Sequence, residues 1–362
     1  VTIKSNKKTK VMLMKMNETQ LKQICAQIKR VKEFGNPFYT ERFKNVNPDD
    51  IKTQEDFERL VPFCDKQDLR NAYPLGLATV PEEDIIRIHS SSGTTGAPVI
   101  IPYTQKDVDD WATMFARCYE LAGISKKDRI QITPGYGLWT AGIGFQAGCE
   151  KLGAMAVPMG PGNTEKQLQM MQDLGSTVIC ATSSYALLLA EQVKARDIGK
   201  NIKLKKGVIG SERWGDKMRD RIKSILGIEL YDIYGLTECY GPGIGINCDK
   251  SDAGMHIFDD YIYIEILDPQ TGKPVPEGEI GEITFDIDIQ RAYVWKDVEQ
   301  KSGLIQSLIV NDIIPPFIFN KVDGVFEGMD SKQRSYTIHK FLKDEFTLKG
   351  VMPIEVINEN GE

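Results

Sequence analysis

Between Gln105 and Tyr234 the sequence alternates amphipathic helical patterns with short β-branched runs, and few architectures accept that order. The pattern predicts helices over 107–122, 165–174, 185–195 and 216–226. It predicts strands over 129–133, 155–158, 177–181, 206–210 and 229–234. Strand, helix, strand in repetition means βαβ units around a mainly parallel sheet, an α/β body. Ligands of such sheets sit where strands end and loops begin. Upstream, Leu21, Ile24, Cys25, Ile28 and Val31 recur at helical spacing within 17–34 and predict an amphipathic helix. Two β-branched runs, 85–88 and 99–103, bracket a hydroxyl-rich loop as a hairpin would. Downstream, 261–267 alternates strictly, 268–273 is a turn cluster and 279–285 is a short strand, which predicts a small antiparallel β subdomain beside the body.

Charge narrows the partners. Lys plus Arg number 45 against 51 Asp plus Glu in 362 residues, a net charge of −6, whereas a nucleic-acid binder needs clustered positive charge. The one dense basic run, 4–10, reads as a solvated tail. No stretch reaches the roughly 18 apolar residues of a membrane span, so the expectation is a soluble, cytoplasmic chain of two or three domains. Its seven cysteines are scattered without a CxxC pair, as suits reduced thiols, and its three histidines make a His-centred catalytic site a poor expectation.

Three constellations could carry chemistry. Ser90, Ser91, Ser92, Gly93, Thr94, Thr95 and Gly96 place five hydroxyls and two glycines between two strands, the composition of a phosphate cradle. It is not a Walker loop, because Ala97 and Pro98 follow in place of Lys and Ser/Thr. Asp232, Ile233, Tyr234, Gly235, Leu236, Thr237 and Glu238 run a strand into a turn ending in a hydroxyl and a carboxylate. Glu238 fits either a Mg²⁺ ligand beside phosphates or an ordinary turn residue. Residues 134–145 interleave four glycines with Tyr136, Trp139 and Phe145. That pattern fits equally a pocket for a flat apolar ligand and a glycine-rich helix start packed on the sheet.

Taken in order and spacing, the loop 90–96 with Pro98, the segment 136–144, the stretch 210–214 and the run 232–243 resemble the phenylacetate–CoA ligases of the acyl-adenylate-forming superfamily, over roughly 17–285. The resemblance implies a two-step, AMP-forming acid–thiol ligase using ATP, Mg²⁺ and coenzyme A. An aryl carboxylate, phenylacetate first and indoleacetate or another aryl acid next, becomes an acyl-adenylate, and the thiol of CoA then displaces AMP. It implies that Ser91, Ser92, Gly93, Thr94, Thr95 and Gly96 hold the departing phosphates, and that Thr237 and Glu238 are catalytic, meeting the α-phosphate and Mg²⁺. Ser211, Glu212, Arg213, Asp232, Ile233 and Tyr234 would border the adenine, and Tyr136, Gly137, Gly142 and Gly210 would line the acid pocket. Ala97 stands where the family often has Lys. Partners are then small molecules, with no nucleic acid and no membrane, and a homodimer is the candidate assembly.

By the same resemblance, 1–285 is the adenylation domain and 286–362 a small, mobile α+β C-terminal domain that is incomplete. After Phe285 neither the Arg-rich segment with a ribose-binding Asp nor the catalytic Lys is found, although 335–357 resembles that domain's closing helix and strand. The expectation is that residues are absent at Phe285; divergence is the alternative, and with it a rival function, a nucleotide or acyl-adenylate binding protein without catalysis. Cys248 and His256 resemble half of a zinc site in some relatives, two ligands where a structural site needs four.

Overall fold

The computed structural model describes residues 16–91, 98–138, 140–212, 214–248, 254–265, 267, 319–322 and 325–328. The chain divides into two units, Val1–Phe285 and Asp286–Glu362.

The first unit opens with four helices, α1 (Glu18–Phe34), α2 (Pro37–Arg42), α3 (Gln54–Leu60) and α4 (Lys66–Asn71). Asn17 and Gln20 close a reciprocal capping box on α1, and Gly35 ends it with φ 77°. Ile28 of α1 is buried with Val46 and Ile51 in a small core of its own.

A hairpin follows. β1 (Arg87–Ser90) and β2 (Ile100–Tyr103) pair antiparallel, Arg87 opposite Tyr103 and Ser90 opposite Ile100, as the bracketing runs predict. The chain then alternates: α5 (Gln105–Leu121), β3 (Arg129–Ile132), α6 (Ala141–Leu152), β4 (Met155–Pro158), α7 (Thr164–Asp173), β5 (Val178–Thr182), α8 (Ser183–Ala195), β6 (Lys206–Gly210), α9 (Asp216–Leu226), β7 (Glu229–Leu236), β8 (Gly241–Ile246) and β9 (His256–Ile257). The sheet order is β4-β3-β5-β6-β7-β8-β9, parallel from β4 through β7 and antiparallel at β8 and β9.

Alternation along the strands explains the layers. Val178 and Cys180 of β5 face one core with Trp111, Phe115 and Phe145, while Ile179 and Ala181 face a second core with Leu189 and Ile222. Each fully buried large side chain contributes about 1.5–3 kcal/mol, so the two faces together hold the sheet rigid. In the predicted antiparallel subdomain, 261–265 carries no strand among the described residues, and 279–285 lies outside them. The antiparallel additions that are described are the β1–β2 hairpin, β8, β9 and, in the second unit, β10 (Phe319–Val322) paired with β11 (Val325–Gly328).

α6 was legible only as a glycine-rich stretch. A Cβ on Gly144 would lie 2.4 Å from Trp111 Cζ2, and one on Gly148 would lie 2.6 Å from Phe115 Cβ. These glycines let α6 lie directly on α5, which is the helix-packing alternative for that stretch.

Candidate active site

Three of the groups singled out in the sequence leave the parallel sheet at its carboxyl edge. β3 runs into Thr133, whose N–H and hydroxyl both donate to the Cys180 carbonyl of β5, at 3.0 and 2.9 Å. β4 lies on one side of β3 and β5 on the other, so the strand order reverses here, where a parallel sheet opens a crevice. The segment from Pro134 to Leu138 starts at that point. Gly137 has φ 107° and no atom within 4 Å of a Cβ position. Tyr136 packs against the core, its hydroxyl buried without a hydrogen-bond partner among the described residues, and burial pushes that phenol up to about 12. A Cβ on Gly142 would meet the Gly135 carbonyl at 2.6 Å, and one on Gly210 would meet the Ile233 carbonyl at 2.6 Å. The chain's own backbone fills the space beside both, so these two glycines serve close packing.

β6 ends at Gly210 and turns through Ser211, whose φ of 67° is strained for a residue with a side chain. Glu212 follows, and its Oε2 accepts from the Ser183 hydroxyl at 3.1 Å, the Ser184 N–H at 2.9 Å and the Ser184 hydroxyl at 2.7 Å. That carboxylate caps the positive end of α8. On β7, Ile233 turns its side chain into the core, whereas the Asp232 carboxylate lies beside Trp214 and 3.7 Å from Arg219. Burial raises the Asp232 carboxyl above its ordinary value, with the Trp214 contact and the Arg219 charge opposing. Burial likewise pushes the Tyr234 phenol up to about 12. Arg213 lies outside the described residues.

After β7 the chain makes a tight turn through Thr237 and Glu238, closed by the Cys239 N–H donating to the Leu236 carbonyl at 3.0 Å. Tyr240 (φ 65°) and Gly241 (φ 107°) then send it back as β8. Two buried side chains hold the turn from behind: the Tyr103 hydroxyl donates to the Tyr240 carbonyl at 2.9 Å and the Trp111 indole N–H to the Pro242 carbonyl at 2.7 Å. The Glu238 side chain is 18% exposed, with its Oε1 3.2 Å from Lys66 Nζ of α4. At the hairpin, Ser91 and Val99 exchange two bonds. The Ser91 N–H donates to the Val99 carbonyl at 3.0 Å, and the Ser91 hydroxyl accepts from the Val99 N–H at 2.9 Å. Ser91 therefore ties the neck of the hydroxyl loop; Ser92, Gly93, Thr94, Thr95, Gly96 and Ala97 lie outside the described residues.

A sheet of this order, with a hydroxyl loop before it and a Thr-Glu turn at its edge, can be compared with known proteins. The family profile "AMP-binding enzyme" matches residues 6–287. The chain belongs to the AMP-binding enzymes. Among curated relatives of this family member, the phenylacetate-coenzyme A ligase of Pseudomonas putida is 42% identical over 252 residues, 69% of this chain and 57% of that protein. The ligase of the same name from Escherichia coli (strain K12) is 43% identical over 254 residues, covering 69% and 58%. The chain thus spans less than two thirds of the length of the relatives it matches. Among solved structures, an open conformation of 2-hydroxyisobutyryl-CoA ligase in complex with 2-HIB-AMP and CoA superposes with a TM-score of 0.68 at 26% identity, over 76% of this chain and 61% of that one.

The residues present fit a magnesium ion but not a zinc site. Mg²⁺ needs one or two carboxylates and otherwise takes phosphate oxygens and water. The Glu238 carboxylate, held at a turn with the Thr237 hydroxyl next to it and already drawing a cation from Lys66, is such a donor. For zinc, Cys248 is half-buried, and His256 is exposed on β9 opposite Ile246. No group of three or more ligating side chains occurs among the described residues, so Cys248 and His256 do not make a structural zinc site there. All seven cysteines are free thiols. Among the described residues no helix is long and apolar enough to cross a membrane.

Two residues absent from the sequence expectations support this site: Lys66 pairs with Glu238, and His89 is buried behind it. Lys66 gives no local signal, being one lysine in a short helix. His89 could have been noticed, since it directly precedes the hydroxyl loop.

Proposed function

We propose that this chain is the ATP- and acid-binding part of an AMP-forming acid–thiol ligase for an aryl acid, phenylacetate first, with 1–285 as the adenylation domain and 286–362 as part of the C-terminal domain. The acid carboxylate attacks the α-phosphorus of ATP, the bond from that phosphorus to the α,β-bridging oxygen breaks, and acyl-adenylate and pyrophosphate result. The CoA thiolate then attacks the acyl carbon and AMP leaves. Neither step needs a protein nucleophile; positioning and charge neutralisation supply the rate. Thr237 and Glu238 would meet the α-phosphate, and Mg²⁺ when bound would neutralise phosphate charge beside Glu238. Ser91 and the loop it anchors would hold the departing phosphates. Ser211, Asp232 and Tyr234 would border the adenine, and Tyr136 and Gly137 the aryl ring.

The observation that carries this reading is the shared carboxyl edge of β3, β6 and β7, from which the segment after Ile132, Ser211 and the Thr237–Glu238 turn all emerge. The names of the curated relatives support the choice of acid. A cytoplasmic setting and a homodimer belong to the same proposal; a zinc ion would need ligands from beyond the described residues. The test is carboxylate-dependent ATP–pyrophosphate exchange across aryl and aliphatic acids. Exchange stimulated by phenylacetate supports adenylation. ATP binding without exchange for any acid rejects it in favour of a nucleotide-binding module.

A further inference from the structure

His89 is 2% exposed at the end of β1, one residue before the strand gives way to Ser91 and the loop. Its Nδ1 donates to the Leu138 carbonyl at 3.3 Å, and that same carbonyl accepts the Ser90 N–H at 2.9 Å. Two bonds therefore pin the segment carrying Tyr136 and Gly137 to the strand that leads into Ser91. The imidazole also stands edge-on to two rings, Tyr103 at 5.2 Å and Trp111 at 5.6 Å between centroids. Those rings are the two that hold Tyr240 and Pro242, two and four residues after Glu238. Nε2 is buried with no hydrogen-bond partner among the described residues, and burial lowers the pKa of the ring, so the imidazole is neutral with its proton on Nδ1. A phenyl ring would fill this space as well. What histidine adds is the Nδ1–H bond to Leu138.

We infer that His89 is a positioning residue that couples acid binding to nucleotide binding, by joining the Leu138 carbonyl, the Ser90–Ser91 strand end and the Tyr240–Pro242 turn through one buried ring. The acid segment, the strand end and the turn then cannot shift independently. A ligand that settles one of them prepares the other two, which is a coupling free energy in the strict sense. This inference rests on the proposed function, because it assigns ligands to those three segments.

The test compares His89→Phe, which keeps the ring and loses the donor, with His89→Asn, whose amide N–H can take the place of Nδ1–H. Calorimetry gives the dissociation constant of α,β-methylene-ATP with Mg²⁺, without and with saturating phenylacetate, and the ratio of the two is the coupling. The unaltered chain is expected to bind the analogue more tightly with phenylacetate. His89→Phe should lower the ratio by about three- to tenfold, the scale of one buried neutral hydrogen bond, while each ligand alone binds within about twofold. His89→Asn should retain the ratio. A ratio unchanged in folded His89→Phe overturns the inference, and so does equal loss in both variants, which would mean packing alone. Should His89→Phe not fold, Tyr103→Phe cuts the bond to Tyr240 and leaves the ring against His89. It is expected to lower the ratio, and an unchanged ratio there overturns the coupling. An unaltered chain that binds both ligands with a ratio of one refutes the coupling alone, whereas binding of neither refutes the proposed function with it.

Discussion

Gly144→Ala puts the helix contact behind the site to a test in which local preference and packing have opposite signs. In a helix interior alanine is favoured over glycine by about 0.5–1 kcal/mol, so propensity alone makes the substitution stabilising. The new Cβ would stand 2.4 Å from Trp111 Cζ2 and 3.1 Å from Phe115 Cε2. Carbon atoms rest at about 3.5–4.0 Å, so the indole would have to move by about 1 Å. Trp111 is fully buried and its N–H is committed to the Pro242 carbonyl at 2.7 Å, which leaves no free direction for that movement. Overpacking costs about 1–3 kcal/mol, and loosening the indole bond adds about 1 kcal/mol. Set against the helix gain, the net is a destabilisation of about 1–3 kcal/mol. Urea unfolding followed by far-ultraviolet circular dichroism reads it as a lower midpoint at unchanged slope. A midpoint equal to or above that of the unaltered chain would refute the contact between α5 and α6.

Glu238→Gln should leave the unfolding midpoint within about 0.5 kcal/mol of the parent and cut pyrophosphate exchange on the order of 100-fold, as expected for losing the one ligand charge on the metal that would neutralise the phosphates; near-normal exchange would remove the metal role. Glu212→Ala strips three donors at the start of α8 of their acceptor and should cost about 1–2 kcal/mol in thermal or urea unfolding; no loss would show that the cap contributes nothing. Burial raises the Asp232 carboxyl, so between its unfolded and folded values the native chain binds more protons and stability falls as pH rises. The melting temperature of Asp232→Asn relative to the parent should therefore increase from pH 4 to pH 7, and a constant difference would contradict the burial. Tyr136→Phe removes a buried hydroxyl without a partner and should hold or raise stability while shifting preference among aryl acids; a uniform loss for every acid argues against a pocket role.

The parallel body was legible because its strands are buried on both faces, and short β-branched runs between helical patterns have few other uses. The predicted ranges 155–158, 206–210 and 216–226 coincide with β4, β6 and α9. α6 and β8 were not legible, for one reason: Gly142, Gly144 and Gly148, and likewise Gly241, Pro242 and Gly243, suppress the propensity and periodicity on which pattern reading depends. At Gly144, Gly148, Gly241 and Gly243 glycine serves close approach to Trp111 or Phe115 of α5, a non-local demand. At the site, sequence gave residue type but not direction. Ile233 and Asp232 are adjacent, yet strand alternation sends one to the core and leaves the other beside Arg219. Glu212 caps a helix that begins 29 residues earlier, and His89 bonds a carbonyl 49 residues away. Spacing along the chain cannot foretell such pairs.

The filled spaces beside Gly142 and Gly210 bear on how this scaffold could be turned to a different acid. A pocket is usually reshaped by enlarging its smallest residues, and these two glycines look like the natural handles. Here any side chain at either position would meet backbone carbonyl oxygens, which cannot rotate away as a side chain can. The room for variation lies instead at Tyr136, where the phenol has no partner to lose among the described residues, and at Leu138, a residue 52% exposed whose carbonyl is held. Selection for a new substrate would therefore act on a few residues of one loop, while the glycines that shape the crevice stay tied to the stability of the body.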